Sequence, residues 1–207
     1  MNVIYLGGSS YFVTFIDDGS RKVWAYPMQI KGRVFEIFQN FHVVVERETN
    51  KIFKCLRTDN NGEYCSYAFK NFCSRYGIKH ENIDPSTPQQ NGTAERTNHP
   101  IMKNVWSMLS NSGLEEKIFA EALRATCYLI NRSLTTILDG GIHEEVWTHR
   151  KVNYSHLKIY GCEAFMHIPK EHRSKLDDKS RKCIFWDMWT VSLVTVYGIQ
   201  LITKLLE

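Results

Sequence analysis

Two acidic residues on elements of different kind constrain this chain more than anything else in it. Asp59 closes a short β-rich run and Glu95 opens a long amphipathic one, with thirty-five residues, 60 to 94, between them. Around the first the chain reads Leu56-Arg57-Thr58-Asp59-Asn60-Asn61-Gly62-Glu63-Tyr64; around the second, Pro88-Gln89-Gln90-Asn91-Gly92-Thr93-Ala94-Glu95-Arg96-Thr97-Asn98. Taken alone, Asp59 is an ordinary turn residue beside Asn60 and Gly62, and Glu95 an ordinary first-turn helix acid favoured by the macrodipole. The length and order of the flanking words decide against those plain readings.

The remaining segments supply a frame for such a pair. Tyr11 to Ile16 and Lys22 to Met28 are β-rich and separated by Asp17-Asp18-Gly19-Ser20, which predicts a hairpin. Pro27 cannot donate to a ladder, so the second strand belongs at an edge. From Lys31 to Arg47, Val34, Phe35, Phe38, Phe41, His42 and Val45 recur at helical spacing, and Ile52 to Thr58 reads as a buried strand. Phe69, Phe72, Cys73 and Tyr76 mark a further helix closed by Gly77, and Ile78 to His80 a short strand. Asn82 to Gly92, with two prolines, reads as an exposed loop, followed by helices from about Thr93 to Leu109 and Leu114 to Asn131. This order gives an α/β fold with a mixed sheet and flanking helices. Beyond Trp147, short β-type runs at Tyr154 to Ile168 and Lys182 to Phe185 enclose a basic segment, which indicates a small β module.

Composition sets the outer limits. A chain of 207 residues with 43% apolar residues holds one ordinary domain and a small appendage. The net charge of +4 permits nucleic-acid contact without demanding it. Six cysteines show no C-x-x-C pair and no paired Cys/His spacing, so neither a zinc knuckle nor a disulfide framework is indicated; most are expected to be buried thiols. No charged-then-apolar leader follows Met1 and no apolar run is long enough to span a bilayer, which leads us to expect a soluble intracellular protein without membrane contact.

The flanking words resemble those of copia-type LTR-retrotransposon integrases. The resemblance runs from about Leu6 to Phe185. It takes in Tyr11-Phe12-Val13-Thr14-Phe15-Ile16-Asp17-Asp18, both acidic motifs, Tyr128-Leu129-Ile130-Asn131-Arg132-Ser133, Glu144-Glu145-Val146-Trp147, Gly161-Cys162 and Cys183-Ile184-Phe185. It implies a ribonuclease-H-like core over residues 1–112, lacking its first strand. A helical extension over 113–150, an SH3-like β module over 151–186 and a non-family tail over 187–207 follow. It also implies joining of retroelement cDNA ends to target DNA, in the nucleus, by a protein that works as a homo-oligomer.

Carried over residue by residue, Asp59 and Glu95 match two metal-binding catalytic carboxylates. Two-metal phosphoryl transfer places hard cations such as Mg2+ or Mn2+ between carboxylates, with few protein ligands per ion. Arg57, Asn91, Asn98 and Lys103 are then candidates for phosphate oxygens, and Arg173, Lys175, Lys179 and Arg181 for DNA contact by the basic segment. The family's first metal aspartate, from the strand that is central in that fold, has no counterpart here; Asp17 and Asp18 correspond to a hairpin turn. His99-Pro100 stands where the family has Arg-Thr, and an interior proline costs about 3 kcal/mol and kinks a helix. The expectation is a catalytically inactive, marginally stable remnant with weak metal binding. The alternative is a non-catalytic nucleic-acid-binding module.

Overall fold

The computed structural model describes residues 11–58, 62–82, 88–114 and 118–186, with 88–93 as backbone only. Strands β1 (Tyr11–Ile16) and β2 (Val23–Met28) form the expected antiparallel hairpin, in register from Tyr11 opposite Met28 to Ile16 opposite Val23. The connection is built by Asp17, whose Oδ2 accepts from the Ser20 amide at 2.6 Å and the Ser20 hydroxyl at 2.8 Å. That carboxylate serves the turn, as turn chemistry at Asp17-Asp18-Gly19-Ser20 required.

Alternation along β1 separates two cores. Val13 and Phe15 point to one face, where Val34, Phe38, Phe41 and Val45 of α1 (Val34–Thr49) meet them. Phe12 and Ile16 pack on the opposite side against a second cluster built from α3 (Pro88–Ser112) and α4 (Phe119–Arg132). The hairpin is therefore covered by helices on both faces. Strand β3 (Cys55–Thr58) joins the first core through Leu56 and pairs in parallel with β4 (Lys79–Asn82) across α2 (Tyr67–Arg75). Helix α2 starts where Ser66 accepts from the Phe69 amide at 3.2 Å, a side-chain N-cap. It ends before Gly77, whose φ of +67° is the left-handed conformation that glycine adopts freely.

The structure departs from the sequence reading in two places. The mixed sheet is divided: among the described residues β1–β2 and β3–β4 are separate two-stranded ladders that share a core without a common ladder. The exposed loop expected up to Gly92 is helical from Pro88, a residue compatible with a first helical position because its missing N–H would have no intrahelical partner. Helix α3 runs through Pro100, inside the helical span expected from about Thr93 to Leu109. Ile101, Val105 and Leu109, each under 5% exposed, contribute about 1.5–3 kcal/mol apiece, which outweighs the roughly 3 kcal/mol cost of the proline.

Short strands β5 (Leu134–Thr135) and β6 (Gly141–Ile142) lead into α5 (His143–Thr148). The last ladder pairs β7 (Glu163–His167) with β8 (Ser180–Ile184), antiparallel. It is held against α3 at Gly161, where any side chain would collide with Ser112, and by Tyr160 and Trp186 in the second core. All six cysteines are free; Cys73, Cys127 and Cys183 are buried, while Cys55 is exposed on β3. Among the described residues no helix is long and apolar enough to cross a membrane.

Candidate metal and nucleic-acid site

The end of β3 leads toward the first acidic word. Asp59 itself lies outside the described residues, so the residues that anchor the strand before it carry the geometry. Leu56 and Thr58 are buried while Cys55 and Arg57 face outward, the alternation of a half-buried strand. The Thr58 hydroxyl pairs with His80 Nε2 at 2.9 Å and reaches Asn82 Oδ1 at 3.5 Å. His80 also packs on Phe69.

Burial, with the Lys70 charge as a lesser cause, pushes the His80 imidazole below its ordinary range. A base whose pKa is lower folded than unfolded contributes stability that is full above the unfolded value, near 6.5, and is lost as pH falls through the folded value. The thermal midpoint of the wild-type chain is thus expected to fall more between pH 7 and pH 5 than that of His80→Gln. Parallel curves would remove His80 as the group responsible.

Arg57, a phosphate candidate by sequence, is engaged within the sheet. Its Nε and Nη2 both donate to Glu81 Oε2 at 3.3 Å across the β3–β4 ladder, and Lys79 Nζ takes Oε1 of the same carboxylate at 2.7 Å. Hydrogen bonding by Lys79, then by Arg57, holds the Glu81 carboxyl below the usual carboxylate range. Arg57 and Lys79 are exposed and Glu81 is half-buried, so a phosphate can compete for Arg57 at little cost.

Helix α3 presents the second acidic word. Glu95 is exposed, and among the described residues none forms an ion pair with it. By contrast Glu36, Glu81, Glu121, Glu144 and Glu163 are each salt-bridged. An exposed carboxylate without an ion pair is a suitable hard-oxygen donor for a divalent cation. Among the described residues no three His, Cys, Asp or Glu side chains converge as a metal-binding group. Asn98, three residues on, accepts the Thr14 hydroxyl at 3.0 Å; its amide oxygen is turned to the protein. Lys103 is exposed on the same helix, about 12 Å along the axis from Glu95. Asn91 is helical in backbone.

On the β7–β8 ribbon, Lys175, Lys179 and Arg181 are exposed, while Arg173 is half-buried with Nε donating to the Ile168 carbonyl at 3.2 Å. Sequence reasoning passed over Phe165, which stands 68% exposed on β7 opposite Lys182. Its signal was the alternation Glu163, Phe165, His167, which puts all three on the open face of the ribbon.

Comparison with known proteins completes the picture. Residues 1–88 match the family described as Integrase core domain, and residues 162–186 the family Retroviral polymerase SH3-like domain. Over 185 residues, 89% of this chain, the sequence is 54% identical to the Retrovirus-related Pol polyprotein from transposon TNT 1-94 of Nicotiana tabacum, of which it spans 14%. Over 175 residues, 84% of this chain, it is 31% identical to the corresponding polyprotein from transposon RE1 of Arabidopsis thaliana, of which it spans 12%. The chain thus corresponds to a small part of each relative's length.

Solved structures agree at the level of fold. A chain of the simian T-cell lymphotropic virus intasome in complex with PP2A regulatory subunit B56 gamma superposes with a TM-score of 0.57 at 16% identity, covering 89% of this chain and 65% of that one. The HTLV-2 integrase catalytic core domain in complex with magnesium, in its trimeric form, gives 0.50 at 21% identity, covering 64% of this chain and 81% of that one.

Proposed function

We propose, from the premise that this chain belongs to the integrase family of copia-type, retrovirus-related Pol polyproteins, with a ribonuclease-H-like core, that it is the DNA- and metal-contacting part of a DNA-integration protein. In this reading Asp59 and Glu95 hold Mg2+ or Mn2+, which when bound polarises phosphate oxygens for strand transfer. The chain's own residues bind and orient. Arg57, Lys103 and Asn91 are the phosphate-binding candidates of this reading, and the β7–β8 ribbon with its connecting loop offers Arg173, Lys175, Lys179 and Arg181 to the backbone of element or target DNA. The observation that carries the reading is the Glu95 carboxylate, exposed and without an ion-pair partner among the described residues, on the helix that the integrase words single out. An oligomer of such chains working in the nucleus is part of the same proposal.

With Asp59 and Glu95 as the two carboxylates this reading assigns, the chain by itself is expected to bind DNA without joining it. The test is a joining assay on end-processed DNA in Mg2+ or Mn2+, with Asp59→Ala and Glu95→Ala alongside. No joined product is expected from the chain alone; product abolished by both substitutions would establish autonomous catalysis instead. DNA binding is measured in the same samples by fluorescence anisotropy against salt. Replacing Lys179 and Arg181 by Gln is expected to reduce the slope of log affinity against log salt by about two. An unchanged slope would remove the ribbon from the DNA interface.

A further inference from the structure

We propose that Thr14 is a positioning residue for the Glu95 carboxylate, acting through Asn98. This rests on the reading of Glu95 as a metal ligand. Thr14 lies on the face of β1 that also carries Phe12 and Ile16, both packed into the cluster of α3 and α4. Packing alone would favour an apolar residue between them. Asn98 is the matching exception on the other side. It continues, one turn upstream, the stripe that Ile101, Val105 and Leu109 bury. The two exceptions meet: the Thr14 hydroxyl donates to Asn98 Oδ1 at 3.0 Å.

The tie acts where α3 needs it. Glu95 precedes Asn98 by three residues, which places it about 60° around the helix and about 4.5 Å along it, on nearly the same side. Among the described side chains of α3 the fully buried stripe begins at Ile101, and residues 94–96 are exposed, so the turn that bears Glu95 precedes that stripe. Between the two, Pro100 contributes no N–H to the helical ladder. A side-chain bond from the sheet to Asn98 therefore helps to set the rotation and reach of the turn carrying the carboxylate. Thr14 touches no substrate in this arrangement; it works through Asn98 alone.

The test uses the full 207-residue chain and Mn2+ itself, with free Mn2+ followed by electron paramagnetic resonance. Glu95→Gln is expected to lose Mn2+. Thr14→Val, which keeps shape and removes the hydroxyl, is expected to weaken Mn2+ about tenfold, the usual effect of losing a group that orients a metal ligand. Thr14→Ser is expected to restore affinity to near wild type, which a purely structural role for the methyl group would not do. If Thr14→Val does not fold, Asn98→Ala removes the same bond from the half-buried helix side and is expected to show the same weakening. The proposal is overturned if Thr14→Val or Asn98→Ala binds Mn2+ as tightly as wild type while Glu95→Gln does not, or if the loss only tracks the fraction unfolded. If Glu95→Gln binds like wild type, the metal-ligand reading itself fails and the positioning role falls with it.

Discussion

Asn131→Leu is expected to destabilise the chain by roughly 3–5 kcal/mol, a large share of the 5–15 kcal/mol that a domain commonly holds. Asn131 sits at the end of α4, 5% exposed, and uses both ends of its amide on one residue of β2. Oδ1 accepts from the Val23 amide at 2.8 Å and Nδ2 donates to the Val23 carbonyl at 2.7 Å. Val23 is itself 3% exposed, so the side chain does the work of a neighbouring strand at a buried edge. Leucine fits an apolar site but leaves a buried donor and a buried acceptor without partners, at about 1–3 kcal/mol each.

The surroundings give no slack. Lys22 Nζ bonds Glu144 Oε2 at 3.0 Å while lying over the rings of Trp24 and Trp147, and His143 Nδ1 meets the Ser20 carbonyl at 2.9 Å. Urea titration followed by tryptophan fluorescence checks this, because Trp24 and Trp147 pack edge to face at 4.9 Å. A midpoint for Asn131→Leu equal to wild type would mean that the β2 edge finds its partners elsewhere.

What could be read in advance follows from how local each signal is. The hairpin, α1 and α2 rest on spacing within a dozen residues, and Asp17 on turn chemistry within four, so each was legible. Asn98 was read as a phosphate ligand because a polar residue after Glu95 gives no hint that Thr14, far off in sequence, waits for it across the hairpin. Arg57 looked free for the same reason: its pairing with Glu81 depends on the parallel register of β3 and β4, which no local pattern encodes. Asn131 stood inside a recognisable word yet its role needs the fold to bring α4 over β2. Pro88 and Gly92 read as loop because breaker chemistry is local, whereas the burial that holds α3 lies further along at Ile101, Val105 and Leu109. Long-range pairings, rather than weak propensities, account for most of these differences.

Phe38→Ala is expected to cost about 3–5 kcal/mol and to uncouple the two strand pairs of the core. Phe38 is fully buried on α1 and meets Phe15 of β1 at 6.0 Å, Phe53 before β3 at 5.8 Å, and Phe69 and Phe72 of α2 at 5.2 and 5.9 Å. It touches the hairpin on one side and the β3–α2–β4 unit on the other. Among the described residues these two units share no ladder, so packing of α1 rings, with Phe38 at the centre and Phe35, Phe41 and His42 beside it, takes the place of strand pairing. Truncation leaves a cavity where the units meet, and neither helix can close it without losing contacts of its own. In urea, wild-type tryptophan fluorescence and far-UV ellipticity should report one transition. In Phe38→Ala the midpoint should drop and the two probes separate, since the tryptophans Trp24 and Trp147 lie on the hairpin side. Coincident transitions with an unshifted midpoint would show that the strand pairs are joined by more than this aromatic contact, and that the positions of the Asp59 strand and the Glu95 helix are set independently of it.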